Sequence, residues 1–186
     1  DLRRLDSLAA EGEDLRFRAA RLTGRFQNEH SVVLDNRPHQ GRPGYHVLTP
    51  FKVDGALVLI DRGWVPADPD RTQLPAIPLV EGTLTVRGQV SVPEPGFRLG
   101  ASVLEGRSFP LRVQQLDFAE LKPLLGTSLR DYIVQLDAQE PNGFLRDWGV
   151  AGVNPDRHFA YAIQWFALGA LLCVLYFVAN LRREEK

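Results

Sequence analysis

The longest apolar stretch of the sequence lies close to its C-terminal end. Residues 159 to 181 form a run of 23 positions without a charge, with Gln164 and Asn180 near its two ends. A helix of this length rises about 34 Å at about 1.5 Å per residue, which is enough to cross a hydrocarbon core about 30 Å thick. A buried helix of a soluble domain usually keeps a polar face, and this run does not. The pattern predicts a transmembrane helix.

Both ends of this predicted span carry boundary signals. Asn154 before Pro155 is typical of an N-cap and a first helical residue, because proline lacks an N–H that would be unpaired there. Arg182 and Arg183 follow the apolar run, and basic residues beside a span tend to stay in the cytoplasm. We therefore expect a transmembrane helix over residues 154–182 and a cytoplasmic (or matrix) tail over 183–186. The preceding domain would lie on the opposite side of the membrane.

Upstream of the span, the spacing of apolar residues changes from helical to strand-like. Leu2, Leu5 and Leu8 recur at helical spacing before Gly12, which predicts the end of an N-terminal helix over residues 1–12. Short apolar runs bounded by turn residues then recur about every ten residues. The predicted strands lie near residues 15–19, 31–34, 45–51, 56–60, 83–90, 109–113 and 132–136. We expect an exported, mainly β domain over residues 13–153, a small barrel or sandwich with one or two short helices.

Local signals refine this prediction in three places. Asp54-Gly55 separates the two most apolar runs and is typical of a hairpin turn, so these runs should pair antiparallel in the centre of the sheet. Asp117 and Glu120 have the spacing of a capping box, and Pro123 limits the helix they open to about two turns. Gly24 is expected to end the first strand.

Composition narrows the class of protein. The net charge of −1 does not show the excess of basic residues that is typical of nucleic-acid-binding proteins. Cys173 is the single cysteine and lies within the span, so the exported domain has no disulfide and no thiolate ligand. The sequence begins at Asp1 and has no methionine. We therefore expect that a first transmembrane helix, which would double as the export signal, is missing from this chain.

The sequence offers few candidates for catalytic residues. His30, His39 and His46 lie close in sequence, but their spacing matches no common zinc pattern. Asp35 or Asp61 could pair with one of these histidines in space. The sequence contains no HExxH, GxSxG or P-loop motif. We expect no catalytic residue, no enzyme activity, and loop or solvated positions for the three histidines.

The segment Asp61-Arg62-Gly63-Trp64 admits two interpretations. In the structural one, Arg62 pairs with a carboxylate, Gly63 turns the chain and Trp64 caps the core. In the functional one, Arg62 and Trp64 are exposed and contact a partner, because these residue types dominate many interfaces.

His158 begins the most suggestive pattern. It stands one turn into the predicted helix, and Tyr161 and Trp165 follow on the same face. An imidazole beside an aromatic shelf could bind a haem iron axially. The alternative is an ordinary membrane interface, where Tyr and Trp are enriched in any case.

The sequence resembles the surfeit-locus family of cytochrome c oxidase assembly proteins over roughly residues 15 to 182. Four segments carry the resemblance: Gly24-Arg25-Phe26, the segment 44–50 (GYHVLTP), the segment 58–66 (VLIDRGWVP) and the segment 154–166 (NPDRHFAYAIQWF). Asp61 departs from the family pattern, since relatives often carry Asn there.

The resemblance implies two transmembrane helices flanking an exported domain, and a role in delivering haem a to oxidase subunit I. It also implies that His158 is an axial ligand of the haem iron, which Tyr161 and Trp165 would support by lining the porphyrin. The expected partners are oxidase subunit I, other assembly factors and the lipid bilayer. The alternative is a scaffold that stabilises nascent subunit I without binding haem.

Overall fold

The computed structural model describes residues 1–69, 73–93, 108–148 and 155–184. The chain divides into two units, residues 1–147 and residues 148–186. The described elements are α1 (Leu2–Ala10), β1 (Ala19–Phe26), β2 (Val32–Leu34), β3 (Gly44–Val53), β4 (Ala56–Pro66), β5 (Leu84–Ser91), β6 (Leu111–Val113), α2 (Phe118–Leu125), β7 (Leu129–Leu136) and α3 (Pro155–Glu184).

Five strands of the first unit close into a barrel. Around the ring, β3 pairs antiparallel with β4, β4 parallel with β7, β7 antiparallel with β5, and β5 antiparallel with β1. β1 then returns to β3 through the pairs Arg25–Lys52 and Phe26–Phe51. β2 and β6 extend the sheet from β3 outside this ring. Of the two predicted architectures, a small barrel or a sandwich, the structure shows the barrel.

Gly24 is the residue that lets the barrel close. A Cβ at this position would lie 2.0 Å from the carbonyl oxygen of Lys52. Here β1 leaves its partner β5 and meets β3, so the two backbones approach too closely for any side chain. The prediction that Gly24 ends the strand was wrong. Glycine at this position allows the backbone of β3 to approach β1 closely, and it does not end the strand.

Two apolar layers stabilise this unit, because each barrel strand has one inward and one outward face. The interior is filled by side chains such as Leu22, Phe51 and Val134, and α1 contributes Leu2 and Leu5 to the same cluster. The outward faces of β4 and β7 supply Leu57, Leu59, Leu129 and Ile133 to a second cluster, which α2 and β6 complete.

The hairpin signal and the helix-capping signal are confirmed. Asp54 and Gly55 have φ of 47° and 85°, and they join β3 to β4 as a tight hairpin turn. The side chain of Asp117 accepts a hydrogen bond from the Ala119 amide and caps α2, which runs for eight residues with Pro123 inside it. The predicted antiparallel pairing of the two most apolar runs is therefore present.

The first predicted strand was misplaced. Alternation of Leu15 and Ala19 around the exposed Phe17 suggested a strand at 15–19, but β1 begins only at Ala19. Phe17 has a φ of 65°, which is outside the strand region, so the period of two is interrupted before the strand begins.

The second unit contains α3. Residues Phe159–Val178 are long and apolar enough to cross a membrane, and none of that window is buried by the rest of the chain. The predicted C-terminal helix is thus confirmed as a candidate membrane span. Its predicted N-cap, Asn154, lies outside the described residues, as do residues 185 and 186 of the predicted tail.

Candidate functional site

The first turns of α3 hold the residues that the sequence singled out for haem. Because α3 begins at Pro155, His158 lies in its first turn, where we expected it. The His158 side chain lies outside the described part of the chain. Its role as an iron ligand therefore stays a prediction.

Tyr161 and Trp165 are both on the surface of α3. They are 61% and 72% exposed. Tyr161 lies three positions after His158 and Trp165 lies seven positions after it. Because a helical turn contains about 3.6 residues, both share the helix face of His158. Two exposed aromatic rings one above the other form a surface on which a flat apolar ligand can rest.

Arg62, one of the two partner-contact candidates, lies inside the barrel. It continues the inward alternation of Val58 and Ile60 along β4, and its side chain is only 1% exposed. Its Nε donates to the carbonyl oxygen of Asn142 at 2.9 Å, and both Nη atoms donate to that of Pro78 at 3.2 Å. The expected carboxylate partner is replaced by backbone carbonyls.

Aromatic rings complete the surroundings of this guanidinium. Arg62 Cζ lies 5.5 Å from the centroid of the Phe26 ring and 5.0 Å from that of Phe144, within the range of cation–π attraction. Burial lowers the pKa of Arg62, because desolvation disfavours its charged form. Arg62 thus joins three separate segments at the barrel end.

Trp64, the other partner-contact candidate, is also buried, at 9% exposure. Its Nε1 donates to the carbonyl oxygen of Arg37 at 2.6 Å, and its ring lies 5.3 Å from that of His39. The exposed Arg–Trp pair on which the docking interpretation depends is therefore not present. The geometry supports the structural interpretation for Trp64.

The sequence left open whether Asp35 or Asp61 pairs with a histidine. In the structure, His46 pairs with Asp61. The His46 Nδ1 lies 2.8 Å from Asp61 Oδ2, and the Gly63 amide donates to Asp61 Oδ1 at 3.0 Å. Asp61 is 3% exposed. A bulge in β4, where Arg62 and Gly63 lie opposite the single residue Val47 of β3, sets this juxtaposition, and bulges leave no reliable local signal in a sequence.

The remaining histidines are dispersed. His30 stacks edge-on against Phe109 at 4.9 Å, while Asp35, the other aspartate considered, binds Arg112 at 2.8 Å. Within the ranges that the structure describes, no group of three His, Cys, Asp or Glu side chains could hold a metal ion. Cys173 is exposed on α3.

Comparison with known proteins places the chain in a family. The model of the SURF1 family matches residues 2–170. A SURF1-like protein of Mycobacterium tuberculosis is 29% identical over 180 residues, which are 93% of this chain and 65% of that relative, and a Mycobacterium bovis relative gives the same values. The SURF1-like protein of Rickettsia felis is 24% identical over 184 residues, 92% of this chain and 77% of the relative.

The family match covers the barrel and the first half of α3, including the positions of His158, Tyr161 and Trp165. The chain spans 65% of the length of the mycobacterial relatives. The matched region includes every barrel strand and the first part of the apolar helix. This chain belongs to the SURF1 family.

Proposed function

We propose that the chain is a membrane-anchored assembly factor for haem-copper cytochrome c oxidase. It binds haem a at the start of α3 and aids its insertion into oxidase subunit I. α3 anchors it in an inner membrane, with the barrel on the periplasmic or intermembrane-space side. His158 is the axial ligand, Tyr161 and Trp165 line the porphyrin, and the barrel recognises the client. Family membership supports the assembly role.

The observation that carries the haem site is the position of three residues on one helix. Pro155 begins α3, so His158, Tyr161 and Trp165 fall on consecutive turns of one face, beside the candidate span Phe159–Val178. The exposure of both aromatic rings supports the proposal, because a ligand that is later handed on must reach its site from outside.

The chemistry of the donor set suits haem as a cargo. The porphyrin supplies the equatorial nitrogens, so the protein needs to add one axial imidazole rather than a metal cluster. Aromatic rings at the edge of a span can cover the apolar face of the macrocycle. A site built on the surface of one helix holds its ligand loosely, as transfer to a client requires.

The test is the visible absorption spectrum of the full-length protein purified from cells that make haem a. His158→Ala removes the axial imidazole but retains helix propensity, because alanine is a good helix former. The variant should accumulate in membranes and lose or shift its haem absorption. Trp165→Leu should retain the ligand and weaken retention of haem less.

His30→Ala is the matched control, because it removes an imidazole from the barrel unit and leaves α3 unchanged. It should keep the spectrum of the parent protein. An unaltered spectrum in His158→Ala would refute the assignment. Absence of haem from the parent, combined with normal stabilisation of subunit I, would establish the scaffold alternative instead.

A further inference from the structure

The outward faces of β1 and β5, together with one residue of β3, form a basic strip on the barrel. Arg21 lies directly opposite Arg87, and Arg25 lies directly opposite Lys52 on β3. All four side chains are exposed. Between the two pairs, Thr23 and Thr85 are joined by a hydrogen bond of 2.8 Å. We call Arg21, Arg25, Lys52 and Arg87 the basic strip.

The basic strip places like charges opposite each other twice, which disfavours the folded sheet. Arg87 is offset by Glu140, whose Oε1 lies 2.6 Å from its Nε. In the described ranges, Arg21, Arg25 and Lys52 have no carboxylate partner, and Arg25 donates instead to the Thr83 hydroxyl at 2.8 Å. The chain as a whole has a net charge of −1, so this concentration of cations is a local feature.

The rest of the barrel exterior differs from this face. The outward side chains Leu57 and Leu59 of β4 and Leu129 and Ile133 of β7 are apolar and covered by α2 and β6. The outward residues of β1 and β5 are Arg, Thr, Gln, Ala and Ser, and all of them except the half-buried Ser91 are solvent-exposed. The barrel therefore has one covered side and one bare, positively charged side.

Phe17 extends the basic strip at the start of β1 with an exposed aromatic ring. It is 76% exposed and has a φ of 65°, an uncommon conformation for a bulky residue. Its amide donates to Val90 O at 2.8 Å, and Gln89 Nε2 donates to its carbonyl oxygen at 3.0 Å. These bonds hold the strained backbone and keep the ring in solvent. Strain of this kind is often retained for function.

The basic strip is joined by side-chain contacts to the end of the barrel unit. Arg146 Nη1 donates to the carbonyl oxygen of Glu140 at 2.7 Å, and Glu140 binds Arg87. These contacts connect Arg87 of the basic strip to the C-terminal end of the barrel unit.

We propose that the basic strip and Phe17 form a docking surface for the headgroups of anionic membrane lipids. Anionic lipids attract exposed Lys and Arg within about a Debye length of the bilayer, and an aromatic ring inserts favourably at its interface. The apolar span on the same chain favours lipid over an acidic protein as the occupant. The inference rests on α3 as the membrane anchor in the proposed function, but not on haem binding.

The experiment uses the full chain in nanodiscs of phosphatidylcholine, with or without phosphatidylglycerol. Cys173→Ala removes the native thiol, and Thr23→Cys carries an environment-sensitive fluorophore in the middle of the basic strip. Lipids with a nitroxide near the headgroup quench the fluorophore when it approaches the bilayer. Quenching should rise at least about twofold when anionic lipid is present, and added salt should abolish the rise.

Thr127→Cys is the matched label position, because Thr127 is exposed in the turn after α2, on the covered side. It should show no dependence on anionic lipid. Arg21→Glu with Arg25→Glu should abolish the quenching at position 23. Arg3→Glu with Arg4→Glu makes the same change of charge on exposed residues of α1 and should leave it intact. Phe17→Gly, which relieves the positive φ, should reduce the quenching partly while retaining the fold.

Equal quenching of position 23 in neutral and anionic nanodiscs would overturn the proposal, as would an unchanged response in the Arg21 and Arg25 double variant. No quenching in either lipid would also overturn the proposal and would assign the basic strip to an acidic protein partner instead. Retention of the chain in both kinds of nanodisc reports the anchor separately. The haem spectrum reports the proposed function separately, and the charge variants should leave that spectrum unchanged.

Discussion

Arg62 illustrates at the scale of one residue how far the interior can change the role of a charged side chain. Its guanidinium is buried between Phe26 and Phe144 and donates to the carbonyl oxygens of Asn142 and Pro78. A planar fork of donors can bond carbonyls on two segments while its faces contact the rings. No other protein side chain combines these properties, so the position is specific for arginine.

We predict that Arg62→Ala lowers the free energy of unfolding by about 3 kcal/mol or more, because it leaves two carbonyls unpaired and opens a cavity. Arg62→Lys should recover only part of this loss, since an ammonium lacks the fork and the flat faces. Denaturant unfolding of the detergent-solubilised chain measures both. Arg21→Ala, an exposed control, should stay within about 0.5 kcal/mol of the parent. An equally small effect at Arg62 would contradict a structural role.

Tyr132 is a buried tyrosine whose hydroxyl has no hydrogen-bond partner among the described residues. Burial, with a smaller contribution from Asp6, raises its pKa to about 12. An unfolded tyrosine titrates near a pKa of 10.0. Between these values the unfolded state has lost the proton that the folded state retains, so stability falls as the pH rises.

We predict that Tyr132→Phe leaves stability near neutral pH unchanged or slightly higher, because it removes a buried, unpaired hydroxyl. It should also lessen the loss of stability between about pH 8 and about pH 11, by about 1 kcal/mol at the upper limit. Thermal unfolding of parent and variant across this range provides the measurement. An identical alkaline loss in both proteins would show that other groups control it.

Closure of the barrel is decided at the scale of the elements, where β1 passes from β5 to β3. The pairs Arg25–Lys52 and Phe26–Phe51 depend on the close approach at Gly24. The rings of Phe26 and Phe51 then meet edge to face at 4.8 Å in the interior. A side chain at position 24 would separate the two strands and expose this contact to water.

We predict that Gly24→Val opens the seam between β1 and β3 and destabilises the barrel by several kcal/mol. Hydrogen exchange should accelerate first at the amides of Arg25, Phe26 and their partners on β3. Gly169→Ala is a suitable control, because a Cβ there meets nothing within 4 Å and alanine favours a helix. Exchange that stays slow across the seam in Gly24→Val would show that the strands can absorb the side chain.

At the scale of the whole molecule, the proposed function depends on the orientation of α3, because this orientation would set the side of the membrane on which the barrel lies. The basic residues Arg182 and Arg183 follow the apolar run, and such residues tend to remain in the cytoplasm. The proposed delivery of haem takes place at the membrane surface opposite the cytoplasm, so it depends on this orientation.

We predict that a reporter active only in the periplasm is silent when fused after Lys186. The same reporter inserted after Gly41, in an exposed loop of the barrel unit, should be active. Replacing Arg182 and Arg183 by Glu should weaken this asymmetry, since the positive charges hold the C-terminal end inside. Strong activity after Lys186 in the parent chain would reverse the topology and remove the proposed haem site from the outer surface.

The sequence by itself determined the features that depend on neighbouring residues. The helix over the apolar run, the Asp54-Gly55 hairpin and the capped helix at Asp117 follow from period, turn chemistry and capping, which act over a few positions. The spacing of His158, Tyr161 and Trp165 on one face also follows once the helix is known. The strand count and the mainly β class were predictable because short apolar runs recur between turns, whereas a barrel and a sandwich remained alternatives.

Only the tertiary structure decided what depends on contacts between distant segments. Gly24 acts as a closing point because Lys52 passes over it, and Arg62 is buried because Asn142 and Pro78 supply its acceptors. The choice of Asp61 rather than Asp35 for His46 follows from a bulge and a cross-strand register. Local patterns hold no information on these partners, since long-range pairing is set by the packing of the whole barrel.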